Sequence, residues 1–248
     1  MSALPYNAWV DEDKYMLEMA RMHKLQPKLD VIDVLREEFD GLKADTNYKP
    51  GFIMERRSWL VASLSAQILA LSLELTDDLA AVCLAYLETL DRRDTAFIEH
   101  LSTFTSKDGH RFYETVSKDV NEAAKAVGFD PESAPSHEIE IVRQKFVEIR
   151  DMRDLFWGWY IGYKHGQFAT PIVLTFSAPG TEPKQEWGLY LIPRPFRRDA
   201  ITGKLHTEDR FINTVDNVGA FHKTAVECVS LSIQTRDRQY PKIYGTWT

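Results

Sequence analysis

Apolar residues recur at helical spacing through the first 165 residues of this 248-residue chain, and near Thr170 the period changes to that of strands. That ordering constrains the fold most. Helix after helix with no alternating strands leaves nothing from which to build a helix-covered parallel sheet. The pattern predicts a mainly α fold, a helical bundle with one antiparallel β-hairpin inserted before the C-terminal helix. It reads as a single domain over 1–248. A subdivision would fall between a helical part, 1–128, and a part spanning 136–248 with a long helix, the hairpin and the last helix.

The expected elements follow from punctuation and period. Asp11 opens a helix carrying Tyr15, Leu17, Met19 and Met22, which Pro27 should stop. Leu29, Ile32, Leu35 and Phe39 mark a second helix, with Gly41 just past its end. An apolar helix covers about 52–75. Thr76, followed by Asp77 and Asp78, has the chemistry of an N-cap and should begin another, continuing through Tyr86, Leu90 and Phe97 to Phe104. Lys107-Asp108-Gly109 reads as an interruption, and the two prolines of 129–136 read as a linker. A helix with Ile139, Val142, Phe146, Ile149, Phe156, Trp159 and Tyr163 on a helical period should span about 136–165. The runs at 170–177 and 186–193 form the hairpin, and a final helix should cover about 207–235.

Charge and composition exclude several classes. With 30 Lys+Arg against 37 Asp+Glu the net charge is −7, so neither a sequence-independent DNA coat nor sequence-specific DNA binding is expected. Cys83 and Cys228 are the only cysteines, which excludes a disulfide framework and suits a reducing, cytoplasmic setting. The start has no basic segment leading into an apolar run, so no signal peptide is expected. The longest uncharged run, 58–73, is shorter than the ~20 residues needed to span a bilayer, so no membrane partner is expected. The chain contains no G-x-G-x-x-G after a strand, no P-loop, no H-E-x-x-H, no C-x-x-C and no G-x-S-x-G. No cofactor and no metal are expected.

The segment 150–166 is the richest in chemistry. Gly158, Gly162 and Gly166 recur every four residues and fall on one helical stripe. Each helical glycine costs ~1 kcal/mol relative to alanine, so the stripe calls for close packing or for access of a ligand to backbone. Arg150, Arg153, Tyr160, Lys164 and His165 form a polar, mostly basic strip in the same helix. Arg153 and His165 are candidate catalytic residues, since arginine neutralises a phosphate and histidine transfers protons near neutral pH. Arg150, Tyr160 and Lys164 would bind the substrate.

A second candidate pair lies on the earlier helix. Arg93 and His100 are seven residues apart, nearly two helical turns, so both side chains project the same way. The run Arg93-Asp94-Thr95-Ala96-Phe97-Ile98-Glu99-His100 resembles the signature of the HEPN superfamily of helical nucleases, in which an Arg and a polar residue precede a His. The end Tyr163-Lys164-His165-Gly166 is similar to helix ends among such proteins. The resemblance implies a metal-independent ribonuclease or nucleotide-acting protein of the toxin or defence type. It implies RNA or a nucleotide as partner, a homodimer, and Arg93 and His100 as catalytic residues. The alternative reading is a non-catalytic interaction or binding module, a subunit of a larger assembly.

Overall fold

The structure, a computed structural model, describes residues 6–44, 52–92, 100–101, 103–164, 169–176, 180, 184–191, 197–198, 205–206 and 210–244, with side chains over a narrower set. It is mainly helical. The helices are α1 (Tyr6–Ala44), α2 (Phe52–Arg92), α3 (Ser106–Lys118), α4 (Val120–Ala126), α5 (Ser136–Lys164) and α6 (Val218–Tyr244). Between α5 and α6 lie short strands β1 (Ala169–Phe176), β2 (Lys184–Leu191), β3 (Arg197–Arg198), β4 (Leu205–His206) and β5 (Arg210–Ile212), ordered β1-β2-β5 and β3-β4. No helix among the described residues is long and apolar enough to cross a membrane.

The chain divides into two compact units. Unit 1 comprises Met1–Asp30, Glu74–Arg153 and Thr224–Thr248, and unit 2 comprises Val31–Leu73 and Asp154–Lys223. In unit 1, Phe112 packs edge-on against Tyr113 and Phe146, with centroids 5.2 and 5.5 Å away. Tyr86, Cys83, Cys228 and Leu231 complete a fully buried core. The Cys83 Sγ lies 3.7 Å from the Thr235 hydroxyl. Burial pushes the Cys83 thiol up to about 12 and the Cys228 thiol well above its ordinary value. In unit 2 the core holds Ile68, Leu69, Trp159 and Phe221, with Phe156 edge-on to Phe221 at 5.0 Å. There the Arg36 guanidinium donates to His222 Nδ1 at 2.7 Å, so the His222 Nε2–H donates to Asp33, also at 2.7 Å.

Several helix boundaries differ from those the punctuation predicts. The α1 helix runs straight through Pro27. Leu25, Leu29 and Ile32 are buried on one stripe across it. Burial of ~1.5–3 kcal/mol per side chain outweighs the ~3 kcal/mol proline penalty. Thr76 does not cap a new helix, because α2 is continuous from Phe52 to Arg92 and Thr76 is buried within it. The groups that resemble a cap are used sideways: the Tyr113 hydroxyl donates to the Thr76 carbonyl at 2.7 Å, and Asp77 accepts from Arg153 at 2.8 Å. The last helix begins at Val218 rather than near 207. Asn213 sets that start, its side-chain oxygen accepting from the Asp216 amide at 3.1 Å and its carbonyl from Asn217 Nδ2 at 2.7 Å.

Lys107-Asp108-Gly109 opens α3 instead of interrupting a helix. Thr105 is its N-cap, and the Asp108 carboxylate accepts the Thr105 amide at 2.9 Å and hydroxyl at 2.6 Å. Those bonds, with Arg111 adding attraction, hold the Asp108 carboxyl below its ordinary value of 3.8. A depressed pKa stabilises above the unfolded value and is lost as pH falls through the folded one. Asp108→Ala should therefore lower stability by about 0.5–1 kcal/mol at neutral pH. Urea titrations of both proteins should converge as the pH drops below that window, and a pH-independent difference would exclude the ionised capping box as its source.

The segment 129–136 is not a free linker either. Gly128, at φ 80°, ends α4, with its amide donating to the Lys125 carbonyl and that of Phe129 to the Ala124 carbonyl. From α6, Gln239 donates to the Lys125 carbonyl at 3.0 Å and Lys242 to the Gly128 carbonyl at 2.7 Å. The Arg238 guanidinium lies 3.8 Å over the Phe129 ring. Asp130 then accepts from the Glu132 amide and the Ser133 hydroxyl, closing the turn into α5.

Candidate binding pocket

A cavity of about 390 Å³ lies in unit 1. From α2, Ala81, Leu84, Leu87 and Glu88 line it, a helical spacing that places all four on one face. From α3 come Asp108, Arg111, Phe112, Thr115 and Val116, again one face repeated over two turns. His100, Thr103 and Phe104, preceding α3, and Glu122 of α4 complete the wall. The capping box at Thr105 positions the α3 face, because it fixes where that helix starts. The side chains sort into an apolar floor of Ala81, Leu84, Leu87, Phe104, Phe112 and Val116, and a polar wall.

The wall is organised by pairs. His100 Nε2 lies 2.6 Å from Glu88 Oε2, with the side chains 25% and 40% exposed. A carboxylate accepting from Nε2–H fixes the neutral tautomer and leaves Nδ1 as the imidazole's basic atom. Protonation would give the ring a second donor without breaking the Glu88 contact. The pair can thus hold a ligand by hydrogen bonds in either charge state, or move a proton. Glu122 is paired with Lys125 at 2.7 Å. Among the described residues, no three His, Cys, Asp or Glu side chains converge as a metal site would require.

Of the candidates read from the sequence, His100 alone is placed in this cavity. Arg93 and His165 lie outside the described residues, as does the Lys164 side chain. Arg153 is 1% exposed, its Nη2 donating to Asp77 at 2.8 Å and to the Ser106 carbonyl at 3.3 Å, with the guanidinium over the Tyr113 ring. Arg150 donates to the Ser117 hydroxyl at 2.7 Å and to Asp151. Arg143 of the same helix donates to the Ser117 carbonyl at 2.9 Å. The basic strip of α5 thus grips both ends of α3. Tyr160 belongs to unit 2, buried with its ring 5.1 Å from that of Trp157. On the same stretch Gly158 is exposed, beside Leu155, which is 72% exposed.

Glu88, Arg111 and Thr115 carry the pocket and were not among those candidates. The spacing Thr105-x-x-Asp108 was a legible signal for the start of α3. Nothing along the chain announces that Glu88 meets His100 across the eleven intervening positions. No family model, no curated protein and no solved structure matches this chain.

Proposed function

We propose that the protein is a helical binding module whose unit 1 pocket receives a small molecule. The observation that carries this reading is the cavity of about 390 Å³, whose lining joins six apolar side chains with seven polar ones, Glu88, His100, Thr103, Asp108, Arg111, Thr115 and Glu122. Specific small-molecule sites occupy ~300–1,000 Å³ and combine apolar surface with polar groups that fix the ligand's orientation. The finer architecture in the reading is a bundle with one antiparallel hairpin before the C-terminal helix, supported by the β1–β2 register that sets Ala169 opposite Leu191 and Phe176 opposite Lys184. A cytoplasmic setting belongs to the same proposal, supported by the two-cysteine composition. The test is direct. A neutral aromatic probe, 2-phenylethanol, should shift the methyl NMR resonances of Leu84, Leu87 and Val116. Leu84→Trp, which fills the cavity, should abolish the shifts of Leu87 and Val116 while the protein stays folded. Shifts spread evenly over the surface, or unchanged by the filling variant, would sink the reading.

The second reading is the HEPN-like ribonuclease, favoured by His100 lying in the cavity with Glu88 fixing its ring. In that case His100 transfers the proton and Arg93 meets the phosphate. Purified protein should then cleave single-stranded RNA in EDTA, and His100→Ala should lower the rate about 100-fold or more. Cleavage that survives His100→Ala would remove this site from the reaction.

A further inference from the structure

We propose that the ligand of this pocket is a small organic amine with an apolar body, an inference that rests on the pocket being a binding site. Among the described residues, the polar wall carries Glu88, Asp108 and Glu122 against one guanidinium, that of Arg111, and the imidazole of His100. Setting Glu122 aside with its partner Lys125 leaves Asp108 beside Arg111, and Glu88 beside an imidazole that carries charge only when protonated. A phosphate or carboxylate ligand would add negative charge to that wall, and unlike a cation it would meet repulsion from more groups than attract it. An ammonium group reverses the balance. Its N–H donors match the carboxylate oxygens, which accept only.

Two further observations narrow the class. The floor presents the Phe104 and Phe112 rings beside Leu84 and Leu87, so the charged head requires an apolar body to fill the rest. A bare inorganic cation is disfavoured because no three ligating side chains converge among the described residues. Asp108 stays ionised in the folded protein, its carboxyl held low by the two bonds from Thr105, so its charge is present at neutral pH. Glu88 is fixed by His100 at 2.6 Å, which orients one oxygen and leaves the other to accept.

Three probes of matched shape test the inference on the whole chain: 2-phenylethylamine, 2-phenylethanol and 3-phenylpropanoate, with adenosine monophosphate as a fourth. The methyl resonances of Leu84, Leu87 and Val116 report occupancy, and their titration gives the affinity. The amine should bind about tenfold more tightly than the alcohol, and the two anions weakly or not at all. Glu88→Gln should remove most of the amine's advantage over the alcohol. An unchanged thermal unfolding profile shows that this variant is folded. Equal binding of amine and alcohol, or preference for 3-phenylpropanoate, overturns the amine class while the pocket reading stands. Tightest binding of adenosine monophosphate overturns it in favour of the nucleotide reading. If no probe moves those methyls, both the inference and the pocket reading fall.

Discussion

Replacing Asp77 with alanine is expected to remove about 3–5 kcal/mol of stability, because it strands a guanidinium that is 1% exposed. The Arg153–Asp77 bond, at 2.8 Å, joins positions 76 residues apart, and Ser106 adds its hydroxyl to Asp77 at 3.3 Å and its carbonyl to Arg153. Such a pair is worth little against a well-packed apolar substitute, because both charges surrender hydration to form it. Breaking one half is a different matter, since the remaining charge keeps the desolvation cost without the partner. Asp77→Leu combined with Arg153→Met should therefore recover most of what Asp77→Ala loses. Urea denaturation of the three variants checks both statements. A single-variant loss under about 1 kcal/mol would mean that water reaches the pair.

Gly109→Ala should destabilise, against the ordinary gain of about 1 kcal/mol for alanine in a helix. A Cβ at position 109 would lie 2.7 Å from the Asp77 carboxylate, 3.1 Å from the Phe104 ring and 3.2 Å from the Arg153 guanidinium. None of these is a free end of a flexible side chain, for the carboxylate and guanidinium hold each other and the ring lines the pocket. Overpacking of this kind costs about 1–3 kcal/mol, which exceeds the propensity gain. Gly41 supplies the contrast: it too is helical, and a Cβ there meets nothing within 4 Å. Gly41→Ala should stabilise by about 0.5–1 kcal/mol. Thermal unfolding of the two variants should move in opposite directions, and a shift of the same sign would discredit the steric account of Gly109.

The same residues explain what could be read along the chain and what could not. The long helix α5 was legible because Ile139, Val142, Phe146 and Ile149 keep their period whatever they pack against, and all four are buried. Thr76-Asp77 and Lys107-Asp108-Gly109 misled, since local chemistry alone cannot separate a polar side chain that caps its own helix from one that reaches a distant partner. Asp77 does the second and Asp108 the first. Pro27 misled because burial on both sides of it outweighs a penalty that is local. The pocket was the hardest feature. His100 was singled out by its spacing from Arg93, yet its observed partner is Glu88, and which face of α2 turns toward α3 is decided by packing that no spacing encodes. The basic strip of α5 was visible as a strip, while its use at Ser106 and Ser117 depended on where α3 starts and ends.

The buried thiols have a kinetic consequence. Cys83 and Cys228 are both sealed in unit 1, and burial holds each in the unreactive neutral form. An alkylating reagent therefore waits for that unit to open, and its rate becomes a clock for the opening event. Unit 2 contains no cysteine, whereas four of the six tryptophans, Trp59, Trp157, Trp159 and Trp187, fall within it. The wild-type chain thus carries a chemical reporter in one unit and most of its optical reporters in the other. Comparing alkylation with fluorescence under the same denaturant separates concerted unfolding from a sequence in which one unit yields first.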